Sequence, residues 1–424
     1  MSKRLQIPRL TLFETLLLVL AVSILFMQPL KTASPILSYI DELLVVVCMI
    51  TFVLHCIRRK KISSNEIVIV GLLLAFIVVG IIGNTISKID RSMSAIITDV
   101  ISYSKFALVS LGGVYLFKRK RAINWIFSIV VVVVRILIIM GLALGILNQF
   151  GDFGMRDDSR YGIYCFKYIY DSAAVFSWYC YMFLIVLTID MIRGFNKRKI
   201  LFICLDLVLW VFTGRSRGLA FIAIYFSLLI IFKINDMRNR QVKIRMRYFI
   251  ILGILAVIVA WDQIVHYFTN TNQARNILLV VGFKLCGQYF PFGAGLGTFG
   301  TAAAQKYYSP VYNSYGISHL YGFTSDNPLY LTDTFWPAVA GEVGVIGLIL
   351  FAALLFFIFR YLYRKIALNN ISKFVMLFFI FTLLCSSVAT SVFAQNATLG
   401  DLFYMSMIPA IIGENKTYGR ETKC

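Results

Sequence analysis

Residues 122–147 read AINWIFSIVVVVVRILIIMGLALGIL and follow the basic run KRKR at 118–121. A helix needs roughly 20 predominantly apolar residues to cross about 30 Å of hydrocarbon, and this stretch meets that length with a single charge, Arg135. Working outward, similar apolar windows bounded by charges lie near 11–29, 36–57, 66–83, 96–117, 171–192, 200–213, 217–232, 248–265, 336–359, 371–390 and 397–413. Composition agrees: 59% hydrophobic residues, 14% charged residues and a mean hydropathy of +0.81 leave too little polar surface for a chain dissolved in water. The expectation is an all-α integral membrane protein of about twelve transmembrane helices. It divides into an N-terminal membrane bundle at 1–200 and a C-terminal bundle at 200–424. The windows 200–213 and 217–232 are short, which predicts a helical hairpin whose turn, TGRSRG at 213–218, sits at the outer membrane boundary.

Orientation follows from the excess of Lys and Arg on cytoplasmic loops. Alternate helix ends carry Lys3, Arg4 and Arg9, then RRKK at 58–61, KRKR at 118–121, RGFNKRK at 193–199 and KINDMRNRQVKIRMR at 233–247. RYLYRK at 360–365 with Lys373, and a tail with Lys416, Arg420 and Lys423, continue the same side. Both termini are therefore expected in the cytoplasm. The net charge of +21 is split into short clusters at helix ends, where it meets anionic lipid headgroups, so no nucleic-acid partner is read from it. The first helix follows a basic start but lacks a convincing small-x-small cleavage site, and is expected to be retained. The eight cysteines show no CxxC and no His partner at ligand spacing, which argues for neither a metal site nor a disulfide scaffold.

The cytoplasmic loops are too short for a soluble catalytic domain, so chemistry is expected outside. The largest outer loop runs between the ninth and tenth windows, 266–335, and a second spans Asn148 to Tyr170. Basic residues there run against the topological bias: Lys31, Lys88, Arg91, Arg156, Arg160, Lys167, Arg215, Arg217, Arg275, Lys284 and Lys306. A tight turn would hold the guanidiniums of Arg215 and Arg217 at the membrane boundary, in a form suited to bidentate contact with phosphate oxygens. The plainer alternative is snorkelling to headgroups.

Lys105 and Arg135 fall inside apolar windows, where an unpaired charge costs at least about 2.5 kcal/mol. Both need partners, and Asp206 in the seventh window is an expected one, against the alternative that Lys105 binds substrate. GAGLGTFG at 293–300 contains G-x-G-x-x-G at Gly295, Gly297 and Gly300. A dinucleotide fingerprint needs a preceding strand and a following helix, which this polar outer segment does not supply. A loop whose backbone amides approach some other ligand stays open.

Three motifs in order carry a resemblance: TGRSRGLA at 213–220, RNILLVVGFKLCGQYFPFGAGLGTF at 275–299, and DTFWPAVAGEVGVIGLILF at 333–351. Together they resemble the O-antigen ligase and polymerase superfamily. There a Ser-Arg-Gly turn precedes a large external loop that opens with Arg-x-x-x-Leu, passes a Gly-rich segment and closes with His-polar-x9-Gly-x-x-Gly. This chain has Arg275 and Leu279, then Asp333, Thr334, Gly344 and Gly347 at that spacing. One departure stands out, because Asp333 occupies the position that is His in the ligases. The likeness covers about 205–351; the first 200 residues show only apolar windows.

The resemblance implies an inverting glycosyl transfer at the outer face of the bacterial cytoplasmic membrane. A polyprenyl-pyrophosphate-linked oligosaccharide would donate to an acceptor hydroxyl, with no cofactor, metal or nucleotide. Membrane lipids, a chain-length regulator and a flippase are its implied partners. Arg275, Arg215 and Arg217 would stabilise the leaving diphosphate, and Asp333 would take the acceptor's proton. A bland role for Asp333 is as a helix N-cap. Lys105, Arg156, Arg160, His319, Asp326 and Glu342 are candidate substrate-binding residues. His319, the one histidine well inside the large loop, is an alternative base. The aromatics from Tyr307 to Tyr330 fit either stacking on sugar rings or packing of the loop. The leading reading is a polymerase of surface polysaccharide (capsule, exopolysaccharide or O-antigen). Its rivals are a ligase transferring finished glycan, a lipid-linked sugar transporter or flippase, and a noncatalytic scaffold. A transporter would show internal repeats with matched broken helices, and none is visible.

Overall fold

The computed structural model describes residues 8–60, 62–117, 119–237, 254, 261, 265, 270 and 273–413. Among them, seven helices are long and apolar enough to cross a membrane, or eight if a bent pair at the N-terminus is one span. The chain is a mostly helical, multi-pass membrane protein. In order, the first elements are α1 (Leu12–Leu25), α2 (Met27–Ala33), α3 (Ile40–Arg59), α4 (Ser64–Ser87), α5 (Met93–Leu116) and α6 (Lys120–Phe150). A small antiparallel hairpin follows, β1 (Arg156–Arg160) with β2 (Ile163–Phe166), then α7 (Ala173–Asp190), α8 (Lys197–Val211) and α9 (Ser216–Met237). The remainder comprises α10 (Ala274–Gln288), the short α11 (Ala302–Lys306) and α12 (Pro310–Ser314), the long α13 (Trp336–Ile366), α14 (Asn370–Ser387) and α15 (Asn396–Met405).

Local chemistry starts these helices where the charges end. Thr11 with Glu14, and Ser63 with Glu66, form reciprocal capping boxes that satisfy the first free amides of α1 and α4. Along α4 the buried positions Ile69, Leu73, Phe76, Gly80 and Gly83 recur every three or four residues, while Ile67, Leu74, Val78 and Ile81 stay exposed. One stripe thus packs on protein and the other faces apolar solvent, as a lipid-facing helix requires. By contrast, nearly every side chain of α7 is buried, which places it at the centre of the bundle. It packs on α6, α8, α14 and α15; elsewhere α4 lies along α13, and α3 along α5.

The first apolar window is not one straight crossing. α1 and α2 meet at Phe26 with an 86° bend. The windows at 200–213 and 397–413 correspond to helices of 15 and 10 residues, the window at 217–232 lies within α9, and 248–265 falls almost wholly outside the described residues, as do the termini and most of the basic cluster 233–247. The intramembrane cations find other partners than expected. Lys105 Nζ lies 2.6 Å from Asp41 Oδ2 and 2.7 Å from Glu42 Oε1, and Arg135 Nη2 lies 3.0 Å from Asp190 Oδ2. Asp206 pairs with neither; its buried carboxylate has no hydrogen-bond partner among the described residues.

The loop before α13 is a packed unit with its own core. Leu278, Val281, Leu285, Phe299, Val311, Tyr312, Ile317, Phe323 and Leu331 form a cluster separate from the main bundle. Its Gly-rich strand wedges into a break in α13. Gly344 adopts φ +65°, a left-handed value that interrupts the helix and frees carbonyls one turn before. Ala294 N–H donates to Gly341 O at 2.7 Å, and Gly295 N–H to Glu342 O at 2.7 Å, so the loop satisfies what the break exposes.

Candidate functional site

The turn 213–218 is built from its own residues. Just past the end of α8, the Thr213 hydroxyl donates to Trp210 O at 2.7 Å, and Gly214 then takes φ +61°. The reversed backbone brings Arg215 O to accept from Gly218 N–H at 2.8 Å, which starts α9 with Arg217 in its first turn. Arg217 lies 4.4 Å above the Trp178 ring and donates to Ala174 O at 3.3 Å. That stacking holds one guanidinium flat against α7. Arg215 turns the other way, to the hairpin: its Nη2 donates to Asp157 Oδ2 at 2.7 Å and to Asp158 Oδ1 at 3.1 Å.

Arg275 occupies the second position of α10. The helix's N-cap, Gln273, makes no side-chain hydrogen bond, so the amides at that end have no side-chain cap. A cation at the positive end of a helix dipole opposes the usual preference, and together they make a strongly electropositive corner. The charges of Arg275 and Arg215 both act on Arg217, and that of Arg275 acts on Asp333. The four residues expected to do chemistry are therefore electrostatic neighbours, although Arg215 and Asp333 are more than a hundred positions apart in sequence.

Asp333 is half-buried just before α13. It does not cap that helix, since the cap position is Phe335. Burial pushes its carboxyl above the ordinary carboxylate range, and the Arg275 guanidinium pulls it partly back. A carboxyl so placed gains basicity and still sits beside a cation.

Of the other candidates only Arg160 reaches this cluster, through Asp158. Lys105 is buried and held by Asp41 and Glu42. Arg156 donates to Asn148 O at 2.8 Å and stacks 3.7 Å from the Tyr164 ring, while Arg160 Nε donates to Asp158 Oδ2 at 2.7 Å. His319 and Asp326 are exposed in the loop before α13. Glu342 is fully buried: it accepts from Phe299 N–H at 2.9 Å, Thr301 Oγ1 at 3.2 Å and Tyr103 OH at 3.0 Å, and it hydrogen-bonds Asp99. Its task is to lock the Gly-rich strand in place. The amides of that strand are committed as well, with Leu296 N–H on Asn84 Oδ1 and Gly297 N–H on Asp99 Oδ2. The G-x-G-x-x-G run thus bonds to its own protein through these amides. Tyr308 and Tyr312 pack the loop interior, whereas Tyr321 exposes its ring.

Two participants escaped the sequence reading, Asp157 and Asp158. The alternation of signs in RDDSR at 156–160 was the available signal, since carboxylates interleaved with arginines on an outer loop suggest ion pairing. Among the described residues no group of three or more His, Cys, Asp or Glu side chains is gathered as a metal site. No protein-family model matches the chain, and no curated protein matches it.

Proposed function

We propose that the protein polymerises polyprenyl-pyrophosphate-linked oligosaccharide repeat units into a surface polysaccharide, at the outer face of a bacterial cytoplasmic membrane. In this reading the chain crosses the membrane about twelve times with both termini cytoplasmic, and the unit before α13 lies outside. The observation that carries it is the gathering of Arg215, Arg217 and Arg275, with Asp333 beside Arg275. Asp157 and Asp158 already pair with Arg215, and a gathering of cations beside exchangeable carboxylates favours a further anion. A diphosphate at the membrane surface is such an anion, and its geometry suits guanidinium forks.

The chemistry follows from those roles. Asp333 takes the proton of the acceptor sugar hydroxyl as its oxygen attacks the anomeric carbon of the donor. The bond from that carbon to the diphosphate oxygen breaks on the opposite face, inverting the centre, and the electron pair leaves with the lipid diphosphate. Arg275, Arg215 and Arg217 stabilise the charge that accumulates there, and because they are fixed in advance, little reorganisation is needed.

Membranes supplied with lipid-linked repeat units are expected to yield a ladder of chain lengths, and Arg275→Ala to abolish the ladder at unchanged protein level. A single transferred product would point to a ligase instead. Full activity of the Arg275→Ala protein would remove the assignment.

A further inference from the structure

The hairpin Arg156–Phe166 and the turn 213–218 are docked along a line of contacts. Phe166 N–H donates to Phe212 O at 2.9 Å, and the Tyr161 and Ser216 hydroxyls lie 2.8 Å apart. Gly214 is the residue that permits the approach, since a methyl there would press on Cys165 Sγ. Over this floor both hairpin carboxylates reach Arg215, but they are held differently. Asp157 Oδ2 also accepts from Ala173 N–H at 2.8 Å, which anchors it to the start of α7. Asp158 is held by side chains alone: Arg160 Nε at 2.7 Å, Arg215 Nη2 at 3.1 Å and Nη1 at 3.5 Å, and the Cys165 thiol. Its side chain is 40% exposed, while that of Arg215 is only 16% exposed.

Arg215 thus meets two carboxylates, Asp157 at 2.7 Å and Asp158 at 3.1 Å, while its charge also acts on Arg217. Asp157 and Asp158 already occupy the donors of Arg215, so a lipid diphosphate cannot take that guanidinium without displacing a carboxylate. Asp158 is the one that can move at small cost, because its shortest bond, to Arg160 on the same hairpin, survives the move. We propose that Asp158 occupies the place of a lipid diphosphate on Arg215 while the site is empty, and that the hairpin surrenders Arg215 to the diphosphate when it binds. Asp158 is then an affinity-setting competitor, Arg160 is the partner that retains it, and Asp157 stays as a fixed positioning residue. This inference rests on the lipid-diphosphate reading of the cluster.

The test uses the full chain in nanodiscs with farnesyl diphosphate as probe. Asp158→Asn is expected to bind it about 3- to 10-fold more tightly than the native protein, the range for losing a half-exposed, charge-assisted competitor. Asp158→Ala carries the same expectation should the first variant fold poorly. Arg160→Ala is expected to weaken binding a few-fold, because Asp158 then clings to Arg215. A purely structural hairpin would weaken with every substitution, so gain at 158 with loss at 160 is diagnostic. Saturable binding that depends on Arg275 but is equal or weaker in both Asp158 variants overturns the clasp and leaves the functional reading intact. Absence of saturable binding to native and variant proteins alike overturns both.

Discussion

Replacing Arg275 with Gln separates two effects that its position predicts. Its guanidinium is assigned to the leaving diphosphate, and removing one such preorganised donor typically costs about 10²–10³ in rate, or roughly 2.7–4 kcal/mol. The same charge also acts on Asp333, lowering a carboxyl that burial has raised. With the charge gone, the Asp333 pKa rises further. A base works only when ionised, so activity, which falls as pH drops through that pKa, is lost at a higher pH in Arg275→Gln than in the native protein. Initial rates of chain extension on a synthetic lipid-diphosphate repeat unit, measured across pH, read both quantities. Arg275→Lys keeps the charge but loses the planar fork, so its acid limb is expected to stay near the native position while its rate still falls. An Arg275→Gln enzyme with an unshifted acid limb refutes the coupling to Asp333, and one within a few-fold of native rate refutes the role at the diphosphate.

Asp333→Asn keeps shape but removes the base, and is expected to slow extension about 10²–10⁴-fold while farnesyl diphosphate binding persists; loss of binding instead would make Asp333 a structural residue. Gly344→Ala forces a methyl-bearing residue to φ +65° and against the Pro291 carbonyl oxygen, for an expected loss of about 1–3 kcal/mol, read as a lower thermal midpoint in detergent; an unchanged midpoint would contradict the account of the α13 break. Lys105→Met leaves Asp41 and Glu42 without their ammonium inside the bundle, which for a buried pair costs about 3–5 kcal/mol. Lys31 Nζ, 3.2 Å from Asp41 Oδ1, offsets part of this, so the lower end is expected. A stable Lys105→Met protein that has lost activity would return Lys105 to the binding site.

The helices were legible because a membrane helix announces itself within one window: its length, its apolar stripe and its capping residues are all local. Ser63 with Glu66, and the stripe from Ile69 to Gly83, are readable without any other part of the chain. What failed to show is what depends on partners far away in sequence. Asp206 looked like the counter-ion for Lys105 because both lie in apolar windows, yet the partner is Asp41 at the start of α3, brought alongside by the packing of α3 on α5. The same reason hid the fate of the Gly-rich run, whose amides are used by Asn84, Asp99 and the broken α13. The arginines stood out in the sequence because a positive charge on a loop expected outside runs against the topological bias. The carboxylates opposing them did not, since acids on such a loop are ordinary, and only the fold brings Asp157 and Asp158 to Arg215.

The cationic cluster is proposed to meet a lipid diphosphate on the exterior leaflet. Tyr321, exposed on the same loop unit as Arg275 and Asp333, offers the most direct probe. With the native cysteines replaced, Tyr321→Cys in intact cells is expected to react with a membrane-impermeant maleimide at once. Reaction only after the membrane is permeabilised would put the cluster in the cytosol and contradict the account.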